Sequence, residues 1–87
     1  MYKVLDKVDE AKANLESVVL ETPLTINATQ SRKFSSSIYL KREDLQQVRS
    51  YKIRGAFNKI SSLSQSELQK GVVCASAGNH AQGVAFS

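Results

Sequence analysis

The sequence predicts an α/β chain in which helices alternate with short apolar strands, and three observations carry that expectation. Apolar residues recur at spacings of three and four in two long segments, the signature of a helix face. Two short apolar runs, one alternating and one continuous, have the composition of strands. Strands separated by helices imply a right-handed βαβ unit, and so a parallel sheet with flanking helices. The chain has 87 residues, 41% hydrophobic and 23% charged, which allows one small, marginally stable domain at most.

The first helix is predicted from Val4, Val8, Ala11, Leu15 and Val18, with Asp6 as its N-cap and Thr22-Pro23 as its end. Thr22 to Ile26 should then run extended, and the polar stretch Asn27 to Ser37 should form a loop or short helix. Ser37 to Lys41 alternates Ile38 and Leu40 against Tyr39 and Lys41, the period of a strand. After the polar block Arg42 to Arg49, Ser50 is placed to cap a second helix whose stripe is Ile53, Ala56, Phe57, Ile60 and Leu63. Ser64 and Glu67 have capping-box spacing, and Gly71 can stop the short helix that follows. Val72 to Ser76 reads as a buried strand. Ala77-Gly78 then turns into a last helix beginning at Asn79. Two strands and a helix with no C-cap cannot cover a parallel sheet on both faces, so residues 1–87 are expected to be the opening part of a larger α/β catalytic domain.

Composition excludes several classes. No apolar run approaches the roughly 18 residues of a membrane span, and the mixed charges from Met1 to Glu10 do not form a signal peptide, so a soluble cytoplasmic protein is expected. Cys74 is the single cysteine and His80 the single histidine, so neither a disulfide nor a metal site is expected. The formal net charge of +4 lies entirely beyond Asp44, where Arg49, Lys52, Arg54, Lys59 and Lys70 face Glu67 alone. Such a stretch suits an anionic ligand, and nucleic acid more weakly. A solvated helix face is the plain alternative.

Two constellations carry candidate chemistry. In Ser50-Tyr51-Lys52-Ile53-Arg54-Gly55-Ala56, Lys52 falls at the second position of a helix, where the positive end of the dipole disfavours an ammonium and favours a neutral, nucleophilic amine. An amine of that kind attacks carbonyls, as a Schiff base with pyridoxal phosphate requires. Arg54 points elsewhere and should pair with Glu43 or Asp44. Gly55 lowers helix stability by about 1 kcal/mol relative to Ala, a cost best tolerated where something packs closely. The second constellation, Ser76-Ala77-Gly78-Asn79-His80, joins the apolar strand to a helix start. That is where open parallel sheets bind ligands and where free amides receive a carboxylate or phosphate. It is neither a Walker loop nor a dinucleotide fingerprint. Cys74 is read as a buried inert thiol, His80 as an orienting residue, and Tyr39, Phe57 and Phe86 as packing residues.

In this order and spacing the two constellations resemble the serine/threonine dehydratase family of pyridoxal phosphate enzymes, with the tryptophan-synthase β-subunit-like fold known as fold type II. The likeness runs through Glu21-Thr22-Pro23-Leu24, Tyr39 to Gln46, Ser50 to Ala56 and Ser76 to Ala85. It implies pyridoxal 5'-phosphate as cofactor and Lys52 as the Schiff-base lysine that also moves the substrate α-proton. It further implies that Asn79 bonds the cofactor ring hydroxyl oxygen, and that Ser76, Ala77, Gly78, Asn79 and His80 hold the substrate carboxylate. The implied reaction is the deamination of L-threonine, with L-serine as a second candidate, to a 2-oxo acid and ammonia. The block Lys41 to Val48 looks more like the biosynthetic branch, which serves isoleucine formation, than the catabolic one. Ala77 stands where serine racemases of the family carry a second serine, which disfavours racemisation, and Tyr51 replaces the usual phenylalanine.

Family members are several times this length and assemble as homotetramers, and the glycine-rich loop that cradles the cofactor phosphate has no counterpart among these 87 residues. The chain is therefore expected to be inactive alone. Two other readings stand beside this one: a degenerate fragment that acts as an interaction partner, and a small basic nucleic-acid-binding module, which would bind DNA or RNA in a salt-dependent way.

Overall fold

The computed structural model describes residues 2–87; Met1, where the charged opening segment begins, lies outside them. Five helices and two short strands follow one another as α1 (Tyr2–Leu15), β1 (Leu24–Ile26), α2 (Ala28–Phe34), β2 (Tyr39–Lys41), a 3₁₀ turn (Glu43–Leu45), α3 (Lys52–Ser61), α4 (Gln65–Gln69) and α5 (Asn79–Phe86).

Helix α1 begins four residues before Asp6, which therefore lies inside it and caps nothing. The apolar stripe already starts at Val4, and nothing upstream of Asp6 opposes helix. At the other end the helix stops at Leu15 rather than reaching Val18. The β-branched pair Val18-Val19 disfavours helix, and the amides of both residues close turns onto the Leu15 carbonyl. The stretch expected to be loop or short helix contains α2, capped by Asn27, whose Oδ1 accepts the Gln30 amide at 2.9 Å. The Ser64–Glu67 capping box forms as predicted, and Gly71 follows α4 with a left-handed φ of 77°.

The sheet differs from the expectation. Strands β1 and β2 pair antiparallel, with Leu24 opposite Lys41 and Ile26 opposite Tyr39, so no parallel βαβ unit forms among the described residues. The link through α2 is short enough to return the chain directly alongside β1, which an antiparallel pair allows. Val72 to Ser76, expected to be a buried strand, has no regular secondary structure and belongs to no ladder among the described residues. Cys74 is accordingly exposed, not buried. Tyr39 and Phe86 are also exposed, while Phe57 is half-buried.

The core is small. Leu15 of α1 and Ile53 and Ala56 of α3 are its buried apolar residues, and α3 is sandwiched between α1 and α5. The molecule exposes 6893 Å², against about 5,100 Å² for a compact monomer of this mass. Its radius of gyration is 16.1 Å, where about 12 Å is usual for this length. Both quantities describe an open arrangement with much uncovered surface.

A polar lock compensates for the small core. Gln46 is only 1% exposed, and its side-chain amide bonds both main-chain groups of Leu20: Oε1 accepts the Leu20 N–H at 2.9 Å and Nε2 donates to the Leu20 carbonyl at 2.8 Å. Beside it, the Glu43 carboxylate accepts the Thr22 hydroxyl at 2.6 Å and a bidentate pair from Arg54. Lys41 donates to the Thr22 carbonyl. Three segments far apart in sequence, the arm after α1, the 3₁₀ turn and α3, are thereby held together. No buried side-chain polar atom among the described residues lacks a partner.

Candidate active site

Lys52 is the first residue of α3, one position earlier in the helix than expected, because Tyr51 rather than Ser50 occupies the cap position. Ser50 still serves the turn: its Oγ, on a buried side chain, accepts the Lys52 amide at 3.4 Å. The Lys52 side chain is half-buried, and its ammonium group lies 5.0 Å from the centre of the Tyr51 ring. No carboxylate pairs with it among the described residues. Arg54 takes Glu43, one of its two expected partners, while Asp44 pairs with Arg42. The Arg54 guanidinium, with help from Thr22 and Gln46, lowers the Glu43 carboxyl to about 2.

The Ser76 to His80 turn leads into α5, with Gly78 at its cap position. Here the structure adds what the sequence did not disclose. The Ser76 Oγ accepts two amides, from Gly78 and Ala81, each at 3.1 Å. Two of the N–H groups expected to be free for a ligand are thus held by the serine, and its hydroxyl closes the helix start. Gln82, in the first turn of α5, is exposed and makes no side-chain hydrogen bond among the described residues.

The two constellations meet at Gly83. This residue is buried in α5, and a Cβ placed on it would lie 3.1 Å from both the carbonyl carbon and the oxygen of Lys52 and 3.3 Å from the Ile53 nitrogen. Helix α5 therefore crosses the first turn of α3 backbone against backbone, an approach so close that any side chain larger than that of glycine would press on the main chain of α3. Gly55, expected to be the closely packed glycine, has nothing within 4 Å of such a Cβ. The signal for Gly83 was present in the sequence as a glycine inside a helical segment, but only the crossing distinguishes it from Gly55. Asn79 sits one turn before Gly83, on the same face of α5. Lys52 and Asn79 are thus carried on the starts of two helices that pack closely on each other. A cleft between α1 and the arm that follows it lies elsewhere and involves none of Lys52 and Ser76 to His80.

Helix α5, which opens on the serine-capped turn, packs against the first turn of α3, which opens on Lys52. The chain belongs to the pyridoxal-phosphate-dependent enzyme family, whose pattern matches residues 15–87. Its relatives include the biosynthetic L-threonine dehydratase of Staphylococcus epidermidis, 58% identical over 92% of this chain, and that of Halalkalibacterium halodurans, 60% identical over 88%. Among solved structures, maize serine racemase superposes with a TM-score of 0.83 at 36% identity, over 92% of this chain and 25% of the racemase. The processed form of threonine deaminase isoform 2 from Solanum lycopersicum gives 0.72 at 45% identity, over 92% of this chain and 23% of the deaminase. The fold is therefore a piece of the fold type II arrangement. The chain spans about a fifth of the length of the curated dehydratases it matches. No helix among the described residues is long and apolar enough to cross a membrane.

Proposed function

We propose that residues 1–87 supply the lysine-bearing and carboxylate-binding elements of a threonine dehydratase catalytic domain, acting in isoleucine biosynthesis in the cytoplasm, and that they do not turn over L-threonine unaided. The observation that supports this reading is the close approach of Gly83 to the Lys52 peptide, which packs the helix that follows the second motif on the start of the helix that carries the first. The half-buried Lys52 side chain, free of any acidic partner among the described residues, fits the attachment of pyridoxal phosphate.

When bound, the cofactor supplies the electron sink for the substrate α-carbon. The Lys52 Nζ would anchor it and carry the α-proton. Asn79 would hold the ring hydroxyl oxygen, and Ser76, Ala77, Gly78, Asn79 and His80 would receive the substrate carboxylate. Ala77 has no ionisable group to deliver a proton to the opposite face, which favours elimination over racemisation.

The test is a chimera in which residues 15–87 replace the matched segment of the Staphylococcus epidermidis dehydratase, with 2-oxobutanoate formation from L-threonine as readout. Activity is expected in the chimera and a loss of at least ~10³-fold in Lys52→Ala, the scale of a removed acid–base group. A chimera that binds cofactor but forms no 2-oxobutanoate, or that is equally active with Lys52→Ala, overturns the reading.

A further inference from the structure

The Lys52 ammonium has a close neighbour that carries no charge. Its Nζ lies 5.0 Å from the centre of the Tyr51 ring, within the distance at which the negative face of an aromatic ring attracts a cation. The acids that form ion pairs among the described residues are engaged elsewhere: Glu10 by Lys7, Asp44 by Arg42 and Glu43 by Arg54. Local geometry explains the contact. Side chains lean toward the N-terminus of the helix that bears them, and Lys52 is the first residue of α3 with Tyr51 at the cap position. The lysine stem therefore leans back over the residue before it.

The ring packs little, since Tyr51 is 59% exposed. Of the helices packed on α3, α5 brings His80 as its sole titratable side chain. Helix α1 brings Lys7 and Glu10, already paired with each other, to a cleft that also includes Lys59. Neither helix supplies a carboxylate that pairs with Lys52.

A carboxylate and a ring hold a lysine differently. A carboxylate binds an ammonium through directed, charge-assisted hydrogen bonds. An aromatic face attracts the charge without a directed bond, and has no such attraction for the neutral amine. We propose that Tyr51 is a positioning residue for Lys52, whose ring face is the resting place of Nζ while that nitrogen carries its third hydrogen and releases Nζ once the proton has passed to solvent or substrate. This rests on the reading of Lys52 as the reactive amine, and adds the group that holds its charged form.

The test reads the amine itself, with neither cofactor nor threonine present. The 87-residue chain and its Tyr51→Phe and Tyr51→Leu variants are trace-labelled with acetic anhydride. Peptide mass spectrometry measures acetylation of Lys52 relative to Lys33, which lies 5.4 Å from the Phe34 ring and is untouched by either change. At about pH 8, Lys52 should acetylate ~2–5-fold faster in Tyr51→Leu than in the parent, the scale of one exposed cation–π contact. Tyr51→Phe keeps the ring and should match the parent. At about pH 11, above the ordinary lysine value of about 10.4, the Phe and Leu variants should label nearly alike, because little cation is left to attract. All three chains should share one far-ultraviolet circular dichroism spectrum. Equal or slower labelling of Tyr51→Leu at the lower pH overturns the proposal. So does Tyr51→Phe labelling like Tyr51→Leu, or a difference between these two variants that persists undiminished at the higher pH, which marks the ring as a steric shield. A chimera without dehydratase activity leaves the labelling result standing and counts only against the reaction.

Discussion

The Glu43 carboxylate receives Nε and Nη2 of Arg54 at 2.8 Å each, a two-pronged pair that ties the 3₁₀ turn to the helix that begins with Lys52. Because Arg54 lies two residues beyond Lys52, this pair and the Gln46 lock beside it fix how α3 is rotated about its own axis. The site geometry therefore depends on polar contacts as much as on the small apolar core.

Acid should loosen the fold through Glu43. Its carboxyl is held at about 2 by Arg54, below the ordinary value of about 4.3, so the folded state binds its proton less readily than the unfolded one. That stabilisation is complete above the ordinary value and is lost as pH falls toward 2. Asp44, lowered by Arg42, and Glu67, lowered by the Ser64 amide, act in the same direction. In urea titrations Glu43→Gln should be about 1–2 kcal/mol less stable than the parent at pH 6, with the difference vanishing near pH 2.

Gln46→Leu should cost about 1–2 kcal/mol, because it removes the side-chain partners of the Leu20 N–H and carbonyl. The urea midpoint measures the loss, and the amide of Leu20 should exchange hydrogen faster.

Alanine at the two helical glycines should have opposite effects. Gly55→Ala places its methyl in open space and should gain about 1 kcal/mol from helix propensity. Gly83→Ala gains the same propensity but drives a methyl to 3.1 Å from main-chain atoms that cannot rotate away. Overpacking costs about 1–3 kcal/mol, so the net change should be neutral to destabilising, with α5 shifted off α3. Unfolding midpoints of the two variants decide the sign.

Ser76→Ala should remove the acceptor for the Gly78 and Ala81 amides at a cost of about 1 kcal/mol. Hydrogen exchange should quicken at those two amides while those of α3 remain protected.

What could be read from the sequence was local chemistry. The Ser64–Glu67 capping box, the extended piece at Pro23, the stop at Gly71 and the start of α3 near Ser50 each depend on neighbours within a few residues. That Arg54 pairs with Glu43 or Asp44 was also legible from the charges, but the choice of Glu43 was not. Features set by distant contacts were not. The Gln46–Leu20 lock spans 26 residues, the antiparallel register of β1 and β2 depends on the return through α2, and Gly83 differs from Gly55 only in what crosses it. The apolar run Val72 to Ala75 has the composition of a buried strand, but burial needs neighbours, and composition cannot say whether the same chain supplies them.

The double capping by Ser76 has a consequence for what the turn will accept. A hydroxyl oxygen has two lone pairs and one proton, and here both lone pairs face inward to the Gly78 and Ala81 amides. Only the proton is left to point outward. The Ser76 hydroxyl is therefore one-sided in polarity: it can still donate to an oxygen acceptor, while its own accepting capacity is spent on the two amides.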